Sequence, residues 1–393
     1  MEVCGLQVTS EVRKAAGTLK TPFLIMDTTY VRNNYYDILN HVANSRVFYA
    51  VKANAHPRII ETLRDLGSSF DVASVGEIDR LLSLGIAPVK MSYGNTIKKV
   101  EDIAYAHSVG IKYFAVDSEM EVEKVAASAP GSKVYGRIAT SGGDCDWPLS
   151  KKFGTDVEHV ISILEYADLL GLDAFGVSFH VGSQNYNVNS WRTAIENASE
   201  VFKVLRSKGI RLRMINLGGG MPVRHVKEIP SVKAYGDVIN EAIEEHLGYV
   251  DDLEIFIEPG RSMVGNAGIL VTQVVLKSRK GNEEWLYIDA GTFHGLAETL
   301  EGFRYEVCTD VKIDDVKTSF HLAGPTCDSV DTIYDSVILP RSIGYGDTVY
   351  FMNAGAYTTE YNTRFNGIPG PSIVFVEDLI GSEIDTVGEN WSG

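Results

Sequence analysis

Eight apolar runs in this sequence each carry, at or near the carboxyl end, residues able to do chemistry. Lys52 follows "VFYAV", Asp71 lies in "SFDVAS", Asn95 closes "VKMSYGN" and Asp117 sits in "YFAVDS". Arg137 lies in "VYGRIAT", and His180 lies in "GVSFHVG", with Gly182 and Ser183 following it. Gly218, Gly219 and Gly220 close "MINLGGG", and Glu258, Gly260 and Arg261 follow "EIFI". Any one of these has a plain structural explanation. Lysine at the end of a buried strand can snorkel to water. A histidine on an apolar run can be a satisfied core residue, and "EPGR" can be an internal ion pair. The same pattern on almost every run makes a shared site the simpler explanation.

The residue types point to a ligand with an anionic end. A triple-glycine turn lets backbone N–H groups approach an anion closely, and Arg261 can pair with the same charge. A lysine, an anion cradle, an imidazole and a carboxylate on one face suit pyridoxal 5′-phosphate (PLP), which a lysine amine can hold covalently.

Such a face needs elements that align eight strand ends. From about residue 46 to 260, short apolar runs alternate with helix-like stretches such as "PRIIETLRDLG" and "VEHVISILEYADLLG". Several of these stop at glycine, as helix C-termini often do. Eight strand–helix units predict a (β/α)8 TIM barrel, in which all strands present their carboxyl ends on one face. A doubly wound sheet is the alternative, but it more often has five or six strands. After about residue 266 the rhythm changes to strand-like segments, "GILVTQVVLKSRK", "EEWLYIDAG", "TSFHLAGP" and "DTVYFMNAGAYT", with little helix between them. This places a barrel at 27–266 and a second, mainly antiparallel β-sandwich- or barrel-like domain at 1–26 and 267–393, with "TPFLIMD" as a further strand candidate.

Composition narrows the partners. The 393 residues suffice for one large domain and a smaller one. The net charge of −16 repels polyanions, which argues against nucleic acid and anionic membranes and is compatible with a small cationic substrate. No run of about 18 apolar residues and no signal-peptide core is present, so a cytoplasmic protein is expected. Cys4, Cys145, Cys308 and Cys327 are far apart and match neither a metal-ligand spacing nor a disulfide framework.

The whole chain resembles the fold-type III, PLP-dependent basic amino-acid decarboxylases, which act on ornithine, lysine or arginine and have an alanine-racemase-like barrel. The resemblance rests on "YAVKAN", "FDVAS", "FHVGSQ", "LGGGMP", "EPGR", "GPTCDS" and "GAYT" in this order, with "FNG" at 365–367. "SYGNTIKK" and "DWPLSKKFG" look most like bacterial ornithine decarboxylases.

The resemblance implies a role for each matching residue. Lys52 would hold PLP; its amine must be neutral to react, and desolvation at a strand end would favour that form. Glu258 would face the pyridine nitrogen and keep it protonated, and His180 would stack on the ring. Ser183, Gly219, Gly220, Gly260, Arg261 and Tyr357 would bind the phosphate. Asp71 and Arg137 would support Lys52 and the cofactor from behind, with Glu77 in a structural part. Cys327 would return a proton to the α-carbon after decarboxylation, which suits a thiol near neutral pH. Asp328 would pair with the distal ammonium of the substrate, with Phe365 in the same substrate set. The loop carrying Cys327 would reach a neighbouring subunit's site, implying a homodimer with shared active sites. Glu301 stands where ornithine decarboxylases usually carry aspartate, and its extra methylene bears on substrate length.

The expected reaction is decarboxylation of L-ornithine to putrescine, a step of polyamine biosynthesis. The same chemistry on L-lysine or L-arginine is the near alternative, and an antizyme-inhibitor-like binding protein is the non-enzymatic one. Alanine racemases share "YAVKAN" but continue with a "YGHG"-like run where this chain has "AHPR". They also place arginine at the pyridine nitrogen. Diaminopimelate decarboxylases need a site for a second carboxylate, for which no clear match is present.

Overall fold

The computed structural model describes residues 5–147, 152–311 and 316–381. Cys4 and part of "DWPLSKKFG" therefore lie outside the described residues. The chain forms two compact units, Val31–Gly265 and a second that joins the segment ending at Tyr30 to residues from Asn266 onward.

The first unit is a closed barrel of eight parallel strands, each beside its sequence neighbours. They are Ser45–Ala50, Ser69–Val72, Met91–Tyr93, Tyr113–Val116, Lys133–Ile138, Asp173–Phe179, Met214–Asn216 and Glu254–Ile257. All eight predicted runs become barrel strands. The second and fourth strands are buried at every position, as strands covered on both faces should be. Ile257↔Val47 pairing closes the barrel between the last strand and the first. The helices between strands are locally encoded. Pro57–Asp65 begins with Pro57 in its first turn and His56 as cap, and Asp156 caps Val157–Leu169 by accepting from the His159 N–H at 2.8 Å.

Two details depart from the sequence reading. The first strand stops at Ala50, and Lys52 rides on a single 3-10 turn, Val51–Ala53. "GGDCDWP", for which no strand is predicted, holds a short strand, Cys145–Trp147, paired antiparallel with Ser183–Asn185. Three residues carry no periodic signal, so the partner alone defines that strand.

The second unit is built on one eight-stranded sheet. Its long strand Gly268–Lys280 pairs first with Phe23–Met26 and Thr348–Phe351, then, past an irregularity between Val274 and Leu276, with Glu283–Ile288. "TPFLIMD" thus does join this unit. Most pairings are antiparallel; Phe23–Met26 with Ser372–Phe375 and Glu283–Ile288 with Lys317–Ala323 are parallel. Phe23, Ile25, Ile269, Val271 and Tyr350 form much of its core.

Candidate active site

The carboxyl ends of the barrel strands bring Lys52, Asp71, Arg137, His180, the glycine turn and Glu258 onto one face. Lys52 Nζ lies 3.7 Å from Asp71 Oδ2. The lysine side chain is 51% exposed. The turn sets Lys52 just beyond the strand, with Asp71 as a charged neighbour. Asp71 is buried against Gly94, where a Cβ would meet its Oδ1 at 2.0 Å. Burial, then the Glu258 charge, pushes the Asp71 carboxyl well above the usual carboxylate range, against the pull of Lys52. Asp71 Oδ1 is buried without a hydrogen-bond partner.

His180 is fixed as a neutral ring. Its Nδ1 accepts the Gly182 N–H at 3.0 Å, and Thr140 Oγ1 donates to its carbonyl at 2.7 Å. Burial, with Arg137 and Lys52 adding repulsion, holds its pKa well below the ordinary imidazole value. A neutral ring with a fixed plane can stack on an aromatic cofactor without adding a charge. Arg137 packs its guanidinium 5.1 Å from the centre of the Phe153 ring, with Glu258, Asp117 and Asp71 as its charge partners.

The glycine turn is a cradle that side chains would fill. Gly218 and Gly220 have φ of 61° and 119°, a region costly for residues with a Cβ. At Gly219 a Cβ would sit 2.6 Å from the Glu258 carbonyl oxygen and 3.3 Å from His180 Nε2. Beside the turn, Arg261 is almost fully buried and its Nε donates to Ser183 Oγ at 3.4 Å. Ser183 begins the strand that pairs with Cys145–Trp147.

Glu77 and Asn95 prove to be braces. Glu77 Oε2 accepts the Ala73 N–H at 2.7 Å while Ser74 caps the helix Val75–Ser83. Asn95 Oδ1 accepts from Ile97 N–H at 3.2 Å. Asp117 Oδ2 accepts the Gly154 N–H at 2.9 Å.

The remaining predicted residues belong to the second unit. Cys327 and Asp328 are exposed on the loop between Lys317–Ala323 and Thr332–Pro340. The Cys327 N–H donates to Asn366 Oδ1 at 3.1 Å, so "GPTCDS" and "FNG" meet. Phe365, also exposed, packs 4.7 Å from Phe293. Sequence reasoning missed the anchor of this loop. Buried Asp331 accepts from the N–H groups of Thr292 (2.7 Å) and Thr326 (3.0 Å). Tyr357 has φ of 65°, an uncommon conformation for a bulky residue and the kind of local strain that collects at ligand sites. Glu301 ends the short turn Ala297–Glu301 and is exposed, whereas Glu298 in the same turn is buried and accepts from Tyr305 Oη at 3.2 Å.

Comparison with known proteins agrees with this geometry. The family model described as "Pyridoxal-dependent decarboxylase, pyridoxal binding domain" matches residues 29–265. The chain is 33% identical over 368 residues to a lysine/ornithine decarboxylase of Selenomonas ruminantium, covering 93% of this chain and 92% of that protein. A lysine/ornithine decarboxylase from Vibrio vulnificus, solved with cadaverine, superimposes with a TM-score of 0.85 at 30% identity, covering 93% and 97% of the two chains. The arginine decarboxylase of Paramecium bursaria Chlorella virus gives 0.86 at 28% identity, covering 94% and 99%. The chain belongs to the fold-type III, PLP-dependent basic amino-acid decarboxylases. It is an amino-acid decarboxylase whose cofactor is pyridoxal 5′-phosphate.

The residues present fit that cofactor. The glycine turn with Arg261 and Ser183 offers an anion cradle, His180 a neutral ring, and Glu258 a carboxylate on the same face as Lys52.

Proposed function

We propose that the protein decarboxylates L-ornithine to putrescine and CO2, with Lys52 as the residue that holds PLP. The observation that carries the catalytic part is the meeting of Lys52, Asp71, His180, Glu258 and the glycine turn on one end of the barrel. Bound PLP supplies an electron sink for the pair left on the α-carbon when CO2 departs. Glu258 would face the ring nitrogen, and His180 would lie against the ring. Gly219, Gly220, Gly260, Ser183 and Arg261, with Tyr357, would hold the phosphate. Asp71 and Arg137 set the charge around Lys52 from below. Cys327 gives the α-carbon its proton. Asp328 and Glu301 are exposed carboxylates suited to a distal ammonium, and Phe365 would join them in the substrate set.

Relatives named for lysine, ornithine and arginine share this architecture, so the fold alone does not decide substrate length. We further propose a cytoplasmic homodimer in which the Cys327 loop serves the partner's site. No described helix is long and apolar enough to cross a membrane. The test is amine and CO2 release by the PLP-loaded protein with L-ornithine, L-lysine and L-arginine, separately and in competition. The highest kcat/KM on ornithine supports the reading. Preference for lysine or arginine overturns the substrate assignment and turns attention to Glu301 and Glu298, while no release from any of the three overturns the substrate class.

A further inference from the structure

Asn216 closes the seventh barrel strand and is fully buried, yet it is an amide at the centre of the site. Its Oδ1 accepts the Gly218 N–H at 3.0 Å, and its Nδ2 donates to Glu258 Oε1 at 2.5 Å. The orientation of the amide follows from these two partners. Turned over, it would set an NH2 against an N–H and an oxygen against a carboxylate oxygen. The main chain adds a third tie, because the Glu258 N–H donates to the Gly218 carbonyl at 2.8 Å. One side chain thus links the anion cradle to the acid at the end of the neighbouring strand.

We propose that Asn216 is a positioning residue that fixes Glu258 and the glycine turn in one register, so that the ring and phosphate ends of the cofactor are held at a set separation. This rests on the reading that Glu258 faces the ring nitrogen. An aspartate at 216 would keep its acceptor for Gly218 but oppose a second carboxylate to Glu258, which costs a shared proton or a rotated side chain. Pairing that change with Glu258→Gln restores a donor–acceptor pair of the same size with its direction reversed.

The experiment measures PLP affinity and the pH titration of the cofactor's visible absorption for wild type, Asn216→Asp, Glu258→Gln and the double variant. Asn216→Asp should weaken PLP by about tenfold or more and displace the absorption titration, since a charged hydrogen bond is lost in a buried site. The double variant should bind PLP within about threefold of Glu258→Gln alone, because the reversed pair replaces the lost one. Independent, multiplicative losses in the double variant would overturn the coupling and leave Asn216 a brace of the turn only. A Glu258→Gln variant with wild-type affinity and absorption would overturn the reading of Glu258 itself. Asn216→Ser, which keeps an acceptor for Gly218 but is too short to reach Glu258, should bind PLP more weakly; unchanged affinity would also overturn the proposal.

Discussion

At the amino-terminal end of the barrel, Phe48, Tyr113, Phe175 and Phe256 pack into one cluster, with Phe48 and Phe256 centroids 4.3 Å apart. Cations cap these rings from the strand starts. Lys133 Nζ lies 4.0 Å from the Phe175 ring centre, and Arg46 lies 4.8 Å from that of Phe48. At the carboxyl end the same strands lead to Lys52, Arg137, His180 and Glu258, and a buried carboxylate oxygen of Asp71 has no hydrogen-bond partner. Phe256 and Glu258 are two residues apart, so one strand supplies a plug at one depth and an acid at the next. At the lower end charges rest over ring faces and rings fill space; at the upper end burial works against the charged forms of Asp71, Arg137 and His180. Stability and chemistry are separated along the barrel axis, and substitutions at the two ends should fail in different ways.

The largest effect is expected from Lys52→Ala, which should lower kcat by about 10³-fold or more while leaving the unfolding midpoint near wild type. At the opposite end, Phe256→Ala should cost about 3–5 kcal/mol of stability, read by urea unfolding, while protein that remains folded keeps its kcat. A Phe256 variant with native stability but lost turnover would break the division.

Acid should act through the carboxyl end, where His180 lies and where Arg261 faces His225. His180 and His225 are both held neutral in the fold, chiefly by burial, with His225 lowered to about 3. Below the unfolded value near 6.5 the unfolded chain takes up protons that the native chain refuses. Stability should therefore fall as pH drops below about 6.5, by up to about 1.4 kcal/mol per pH unit for each ring, levelling for His225 near its native value. His225→Gln should flatten that slope by one ring's share in unfolding measured from pH 7 to 4. The smallest effect is expected from Lys133→Met, which removes a cation from the aromatic cluster and should cost about 0.5–1 kcal/mol with no change in kcat/KM.

Much of this division was legible in the sequence. The barrel strands are short, largely apolar runs with the reactive residues at or near their carboxyl ends, so strand count and site face could be read together. The turn under Lys52 was not, because "VKA" has no local signal that separates a strand end from a 3-10 turn. Val307–Thr309, Thr332–Pro340 and Ser372–Phe375 were passed over, and the two parallel pairings of the second sheet depend on partners distant in sequence. Asn216 and Asp331 were missed for a related reason. Both are ordinary polar residues until the fold gives them two or more partners, and a hydrogen-bond hub has no periodicity.

The most direct test of the account is to reduce the PLP-loaded protein with borohydride and map the modified lysine by mass spectrometry. The account predicts a single pyridoxyl group on Lys52. Lys98 provides the contrast, a lysine buried near the ends of the third and fourth strands, where it donates to the Ala115 carbonyl at 2.7 Å and meets Glu121 at 2.9 Å. Label on Lys98, or on any lysine other than Lys52, would contradict the assignment of the chemistry to Lys52.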